Sequence, residues 1–325
     1  MKKVIAIAVV AVTALVFSSM AFAAGGAEQA GSDSYHFGLT VPTSQGGFMG
    51  ALTAGLKEKF TQEGQKIEVG DAELSPARQI ELIENYIALG VDELIVLAVD
   101  PSGLTDVLQK AEDNGIKVLA FTQRTEVCDS YFGVDNTATG KALAEMAAEW
   151  IDQEYPDAAP GSINVAIFEN RDLPEMAQRA DGMHEIASMT DKVNIAEVVG
   201  VDGTPITAQS KAENLFLTNP DIDIVLAYNT DTASGINASV MALNSQVEDK
   251  SKFGIFACDY NELAIQLLKD SATDDSVVRG VIQLGSGFQA VIDDTYDLAI
   301  KILTSNDYET ENYAELFKMT PDNVE

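Results

Sequence analysis

Carboxylate, amide, guanidinium and aromatic groups recur in short clusters along this chain, each directly after a run of apolar residues. The run from His36 to Val41 ends in Pro42-Thr43-Ser44-Gln45-Gly46-Gly47-Phe48-Met49, and a later one leads into Phe121-Thr122-Gln123-Arg124. Farther on stand Glu169-Asn170-Arg171, Tyr228-Asn229-Thr230-Asp231, Asp259-Tyr260-Asn261 and Gln283. An Asp or Asn side chain engages two neighbouring hydroxyls, and Arg donates in a fixed fork. Beside them an aromatic ring such as Phe48 covers an apolar C–H face. Together these groups suit a polyhydroxylated small molecule. Any one of them is equally well explained as a helix cap after a strand. Their recurrence at the same place after strand upon strand is not.

Other chemistries are poorly served. The two histidines, His36 and His184, lie far apart, and Cys128 and Cys258 are the only cysteines, so clustered zinc ligands are missing and no metal is expected. Whether the cysteines pair is open at this stage. There is no GxSxG elbow for a hydrolase, and acid pairs carry little signal in so acidic a chain. The sharpest rival is Gly285-Ser286-Gly287-Phe288-Gln289-Ala290, which fits the dinucleotide fingerprint GxGxxA and would imply an exported oxidoreductase. It lies near the C-terminus with no complete βαβ unit after it, so an inter-lobe crossing followed by a helix start fits better. No cofactor and no catalytic residue are expected. The lone Trp150 shares a helical stripe with Leu143, Met146 and Ala147, which points to packing.

The chain has 325 residues, 46% of them hydrophobic, enough for two domains with sizeable cores. It opens with the basic Met1-Lys2-Lys3, continues with the apolar run Val4 to Phe17, and reaches the small-x-small sequence Ala21-Phe22-Ala23. That pattern predicts a cleavable signal peptide over residues 1–23, and the apolar run is short of the roughly 20 residues that cross a bilayer. Its removal takes the net charge from −31 to −33, since two lysines and no acid leave with it. So acidic a surface repels nucleic-acid phosphates and anionic lipid. The expected product is a periplasmic monomer.

The clusters need a scaffold that brings strand ends together. After a Gly/Ser/Ala-rich lead over residues 24–34, strands and helices alternate, with apolar runs such as Glu93 to Val99 that read as parallel strands covered on both faces. Two successive sets of five strands, spaced by helices, predict an α/β fold of two doubly wound parallel-sheet lobes. Ligands in such sheets bind at the carboxyl ends of the strands, near the point where strand order reverses. The clusters sit at those ends.

In these residues the chain resembles the type I periplasmic solute-binding proteins of ABC importers, especially the ribose and galactose/glucose binders. The marks are the opening strand-loop-Phe (Gly38 to Phe48), Gly90-Val91-Asp92 before LIVLAVDPSGL, and Asn114-Gly115-Ile116-Lys117-Val118. Further on come Gly133-Val134-Asp135-Asn136 with Gly140, Ala227-Tyr228-Asn229-Thr230-Asp231, and Gly254 to Asp259. The resemblance implies a three-segment hinge, with crossings near Asp135 to Ala138, Leu284 to Gly287 and Asp307 to Glu311. The lobes would then be 35–136 plus 285–309 and 137–284 plus 310–325. It also implies that Phe48 stacks on ligand, that Asn229, Asp259 and Gln283 bind sugar hydroxyls, and that Arg124 is a basic ligand residue of the first lobe. Gln45, Gln123 and Tyr228 complete the candidate set. There are departures: the ribose binders have an Asp before that Arg, where Thr122 and Gln123 stand here. The Arg expected on the helix after Phe168 falls at or near Ala177, and Arg171 is taken as its substitute. The function implied is capture of a small polar ligand, a monosaccharide first, for an ABC importer permease. The alternatives are a nucleoside, polyol or signalling furanose presented to a chemoreceptor or kinase.

Overall fold

The computed structural model describes residues 34–45, 47–172 and 174–324. The expected signal peptide and nearly all of the lead lie outside the described residues. The first set of elements is β1 (His36–Val41), α1 (Gly47–Gln62), β2 (Lys66–Asp71), α2 (Pro76–Leu89), β3 (Glu93–Val96), a 3-10 turn (Pro101–Leu104), α3 (Thr105–Asp113), β4 (Lys117–Phe121) and β5 (Ser130–Gly133). Then come α4 (Asn136–Glu154), β6 (Ile163–Glu169), α5 (Pro174–His184), the short α6 (Ile186–Met189), β7 (Val193–Gly200), α7 (Pro205–Thr218) and β8 (Ile224–Ala227). The second set closes with α8 (Thr230–Met241), β9 (Gly254–Cys258), α9 (Glu262–Ser271) and β10 (Val278–Leu284). Three elements follow: α10 (Phe288–Thr304), β11 (Glu311–Tyr313) and β12 (Leu316–Met319).

Local chemistry sets these boundaries. In α2 the Ser75 side chain accepts from the Arg78 N–H, Pro76 opens the first turn, and Gly90 ends the helix at φ 67°, a left-handed position where glycine carries no steric penalty. All four residues of β3 are buried, as a strand with helices on both faces requires.

The strands form two six-stranded sheets, ordered β11-β5-β4-β3-β1-β2 and β12-β10-β9-β8-β6-β7. Every pairing is parallel except β10 with β12. The chain is thus an α/β fold with two doubly wound lobes, and order reverses between β1 and β3 in one sheet and between β6 and β8 in the other. The first sheet packs against α1 and α10 on one face and α2 and α3 on the other. The second sheet's core takes in α4, α5, α7, α8 and α9. Trp150 belongs to that core, edge-on to Phe256 at 5.9 Å.

The strands at the end of the chain differ from expectation. The family resemblance places residues 310–325 in the second lobe, yet Glu311–Tyr313 extend the first sheet beside β5 and only Leu316–Met319 join the second. The third crossing therefore falls at Ala314-Glu315, not near Asp307 to Glu311. A three-residue strand is too short to show a period in sequence. The crossings are laced together there: the Ala314 N–H donates to the Gly133 carbonyl at 2.9 Å and the Gly285 N–H to the Glu315 carbonyl at 2.6 Å. Gly285 and Gly287, of the dinucleotide-like segment, belong to the second crossing; α10 packs on the first sheet, so no βαβ unit closes around them. Cys128 and Cys258 are both free thiols.

One buried group sets a pH dependence. Glu93 opens β3 with no exposed surface, and neither carboxyl oxygen has a hydrogen-bond partner. It lies in register with Lys117, whose ammonium is 2.6 Å from Asp129. Burial pushes the Glu93 carboxyl well above its ordinary value, and the Asp129 charge adds to this. The folded state thus holds a proton that the unfolded chain releases at about pH 4.3, so this part of the stability is present in acid and lost as pH rises toward the folded-state value. Against Glu93→Gln, the wild type should lose about 1.4 kcal/mol per pH unit across that window. Denaturant melts of both proteins from pH 4.5 to 8 test this, and parallel profiles would refute it.

Candidate functional site

The carboxyl ends of β8 and β9 and the start of α4 meet around one buried cation. Arg179, on α5, is 4% exposed. Its Nη1 donates to the Tyr228 carbonyl at 2.8 Å and lies 3.2 Å from both Asp259 carboxylate oxygens, while Nε donates to the Asn136 side chain at 3.1 Å. Burial opposes the charge, yet Asp259 beside it holds the guanidinium above its usual range. A buried arginine thus stands on α5 two residues beyond Ala177, where counting along the chain from Phe168 finds none. Two glycines let it reach the centre. A Cβ on Gly140 would lie 2.0 Å from the Arg179 carbonyl, and one on Gly182 would lie 2.3 Å from the Thr137 carbonyl, so α4 and α5 touch backbone to backbone.

Around this cation the sequence-derived candidates separate. Asn229 caps α8, its Oδ1 accepting from the Thr232 N–H at 2.8 Å, which leaves the amide NH2 as a donor. Asp259 follows β9 at φ 72°, a conformation that costs a non-glycine residue on the order of 1–3 kcal/mol and recurs at functional positions. Its side chain is 41% exposed, so the carboxylate is fixed on one side and open on the other. Gln283 is the next neighbour: Ile282 is in register with Cys258 and its carbonyl accepts from the Asp259 N–H at 3.1 Å. The Gln283 amide donates to the Gly285 carbonyl at 2.9 Å, in the second crossing. Tyr228 is buried, and burial raises its hydroxyl. The thiol of Cys258, next to Asp259, is pushed by burial up to about 12, which leaves it inert.

The first sheet has a matching end. Thr122, after β4, has φ 66°; β4 and β9 are the fourth strands of their sets, so the two sheets place the same backbone irregularity at the same point. Gln123 follows, with its Oε1 buried and without a hydrogen-bond partner. Arg124 is half exposed and donates to Glu311. Gln45 is exposed in the loop after β1, its N–H donating to Thr43 Oγ1 at 3.2 Å. Phe48 lies in the first turn of α1, and its side chain is outside the described residues.

Arg171 is not brought to Asp259. It pairs with Glu169 at 2.5 Å and with Asp181 at 2.8 Å, and it lines a cavity of about 540 Å³ with Asn170, Asp202 and Lys211 at the ends of β6 and β7. His184 is 2.9 Å from Glu169. Burial would raise the Glu169 carboxyl, but hydrogen bonds from Arg171 and His184 hold it below its ordinary value.

Two doubly wound sheets, three crossings and polar groups collected at strand ends define a two-lobed binding protein. A family model for the periplasmic binding protein domain matches residues 37–292, and the chain belongs to that family of substrate-binding proteins. The ribose import binding protein of Bacillus subtilis is 26% identical over 250 residues, 75% of this chain and 76% of its own. The D-xylose-binding periplasmic protein of Escherichia coli is 31% identical over 199 residues, 58% of this chain and 56% of its own. Among solved structures, a periplasmic ribose ABC transporter protein of Conexibacter woesei superposes with a TM-score of 0.74 at 18% identity, covering 90% of this chain and 93% of that one. A solute-binding protein of Actinobacillus succinogenes with bound D-allose superposes at 0.69 with 22% identity, covering 90% and 99%.

The two arginines that face acids should differ in what they do for the fold. Arg179→Met strands the Asn136 oxygen and the Tyr228 carbonyl and is expected to cost roughly 2–4 kcal/mol of ligand-free stability. Arg124→Met removes an exposed pair and should cost about 1 kcal/mol or less. Urea melts of the two variants measure both; equal losses would mean that Arg179 is not the structural centre described.

Proposed function

We propose that this chain is an exported solute-binding protein that captures a neutral monosaccharide between its two lobes and hands it to an ABC importer. The observation that carries the reading is the second lobe's cluster: the Asp259 carboxylate, fixed by Arg179 and open on its other side, with the Asn229 amide and Gln283 at the adjoining strand ends. A carboxylate beside amides engages vicinal hydroxyls without carrying out a reaction on them. Arg124 and Gln123 from the first lobe, with Gln45 and the ring of Phe48 at the start of α1, supply the opposite wall in this reading. Ribose, xylose and allose stand in the names of similar proteins and support an aldose. A polyol is the second reading, favoured by the likeness (TM-score 0.65) to a Caulobacter binding protein that holds myo-inositol.

The mechanism is closure about the laced crossings. Ligand held by one lobe gains contacts from the other only when the lobes approach, so its differential affinity shifts the population to the closed form. A permease, or a chemoreceptor, then reads the closed shape. The leader over residues 1–23 takes the chain to the periplasm in this account.

A thermal-shift screen over aldoses, polyols, nucleosides and amino acids tests the ligand class. A cognate sugar at one hundred times its dissociation constant should add about 2.7 kcal/mol of stability; stabilisation by amino acids or nucleosides alone would overturn the reading. Asp259→Asn keeps an oxygen for Arg179 but removes the charged acceptor. Calorimetry should find sugar binding weakened about 10- to 100-fold, and the ligand-free melting temperature should also fall, because the buried Arg179 loses its counter-charge. Undiminished affinity would take Asp259 out of the site.

A further inference from the structure

Each guanidinium among the candidate residues faces a carboxylate: Arg179 has Asp259, Arg171 has Glu169 and Asp181, and Arg124 has Glu311. The first two pairings are internal to the second lobe. The third joins the end of β4 to β11, the strand that runs into the third crossing. Glu311 is held on both sides. One oxygen accepts from Arg124, and the other accepts from the Tyr313 hydroxyl at 2.8 Å. The Tyr313 ring packs edge-on to Tyr131 at 5.9 Å, and the Tyr131 hydroxyl donates to the Thr122 carbonyl at 3.2 Å. A chain of contacts thus runs from Arg124 through Glu311, Tyr313 and Tyr131 to Thr122, next to Gln123. Hydrogen bonds from Tyr313 and Arg124 hold the Glu311 carboxyl below its ordinary value, and that bond to Glu311 pushes the Tyr313 hydroxyl up to about 12, so it stays a donor.

An anionic ligand binds well where a guanidinium fork is free to take a carboxylate in two parallel bonds. Here one face of the Arg124 fork is already committed, and an incoming carboxylate would stand beside the Glu311 charge. A hydroxyl meets no such repulsion, since it can donate to Glu311 and accept from Arg124. We propose that Glu311 is a specificity-determining residue that turns Arg124 from an anion receptor into a hydroxyl receptor, so that the site takes neutral sugars and rejects sugar acids. The inference rests on the reading of Arg124 as a ligand residue of the proposed sugar site. Rejection of this kind comes from a repulsive element as much as from an attractive one. Because Arg124 and Glu311 are both about half exposed, their pairing contributes little to the fold, and its removal leaves a folded protein to assay.

The test uses the whole exported chain, wild type and Glu311→Gln, with D-xylose, D-glucose and D-galactose as neutral probes and D-glucuronate and D-galacturonate as acidic ones. Calorimetry at pH 7 should show the wild type preferring its best neutral sugar over the uronates by about 100-fold or more. Glu311→Gln should narrow that preference by about 10-fold, through tighter uronate binding, and the further change Arg124→Met should abolish the gain. An unchanged preference in Glu311→Gln, or a narrowing that comes only from weaker neutral binding, overturns the role of Glu311 while leaving the sugar reading intact. A wild type that binds uronates as tightly as neutral sugars also overturns it. A wild type that binds no probe of either kind refutes the sugar reading and this inference together.

Discussion

A single buried guanidinium organises the second lobe's strand ends. Desolvating a cation is costly unless partners surround it, and Arg179 is satisfied only where the Tyr228 carbonyl, the Asp259 carboxylate and the Asn136 amide oxygen converge. Those partners come from the end of β8, the end of β9 and the start of α4. One charge therefore fixes the spacing of two strand ends and ties both to the first crossing. The side chain that would contact ligand, Asp259, is positioned by one that is sealed from solvent.

The backbone is arranged around the same need. Parallel strands place all their carboxyl ends on one edge of a sheet, and the reversal of strand order opens a gap there. Thr122 and Asp259 turn sharply at equivalent strands with positive φ, a strain that persists only when surrounding structure over-determines it. At Thr122 that support includes the Tyr131 hydroxyl on its carbonyl, and at Asp259 it includes the Thr230 hydroxyl on its carbonyl together with Arg179. The two lobes are joined by laced crossings rather than one linker. Within this frame Asp259, Glu169 and Glu311 are each bound to a cation, Glu311 also to a hydroxyl donor.

Much of the fold was legible because its signals are local. Apolar runs such as ELIV in β3, the Ser75-Pro76 start and Gly90 stop of α2, and the even spacing of strands and helices depend on neighbours within a few residues. The places of Asn229, Asp259 and Gln283 at strand ends were legible for the same reason, since each lies at or just after the end of a readable strand. Arg179 was not. It lies within a helix where an arginine is ordinarily a solvated residue, and nothing nearby in sequence indicates that its partners stand 43, 49 and 80 residues away. Gly140 and Gly182 carried the only sequence signal, as small residues that permit a close helix crossing, and that signal has meaning only once α4 and α5 are known to cross.

The sequence by itself determined the class of the protein: two α/β lobes, parallel sheets, and polar groups at the strand ends, because the period of apolar residues and the turn chemistry are written into adjacent positions. Tertiary structure alone decided which arginine stands at the centre, that Arg171 pairs with Glu169 and Asp181, that β11 returns to the first sheet, and that Glu311 faces Arg124. These depend on contacts between residues as much as 187 apart, where a three-residue strand or a lone carboxylate carries no local pattern and only the packed chain brings the charges together.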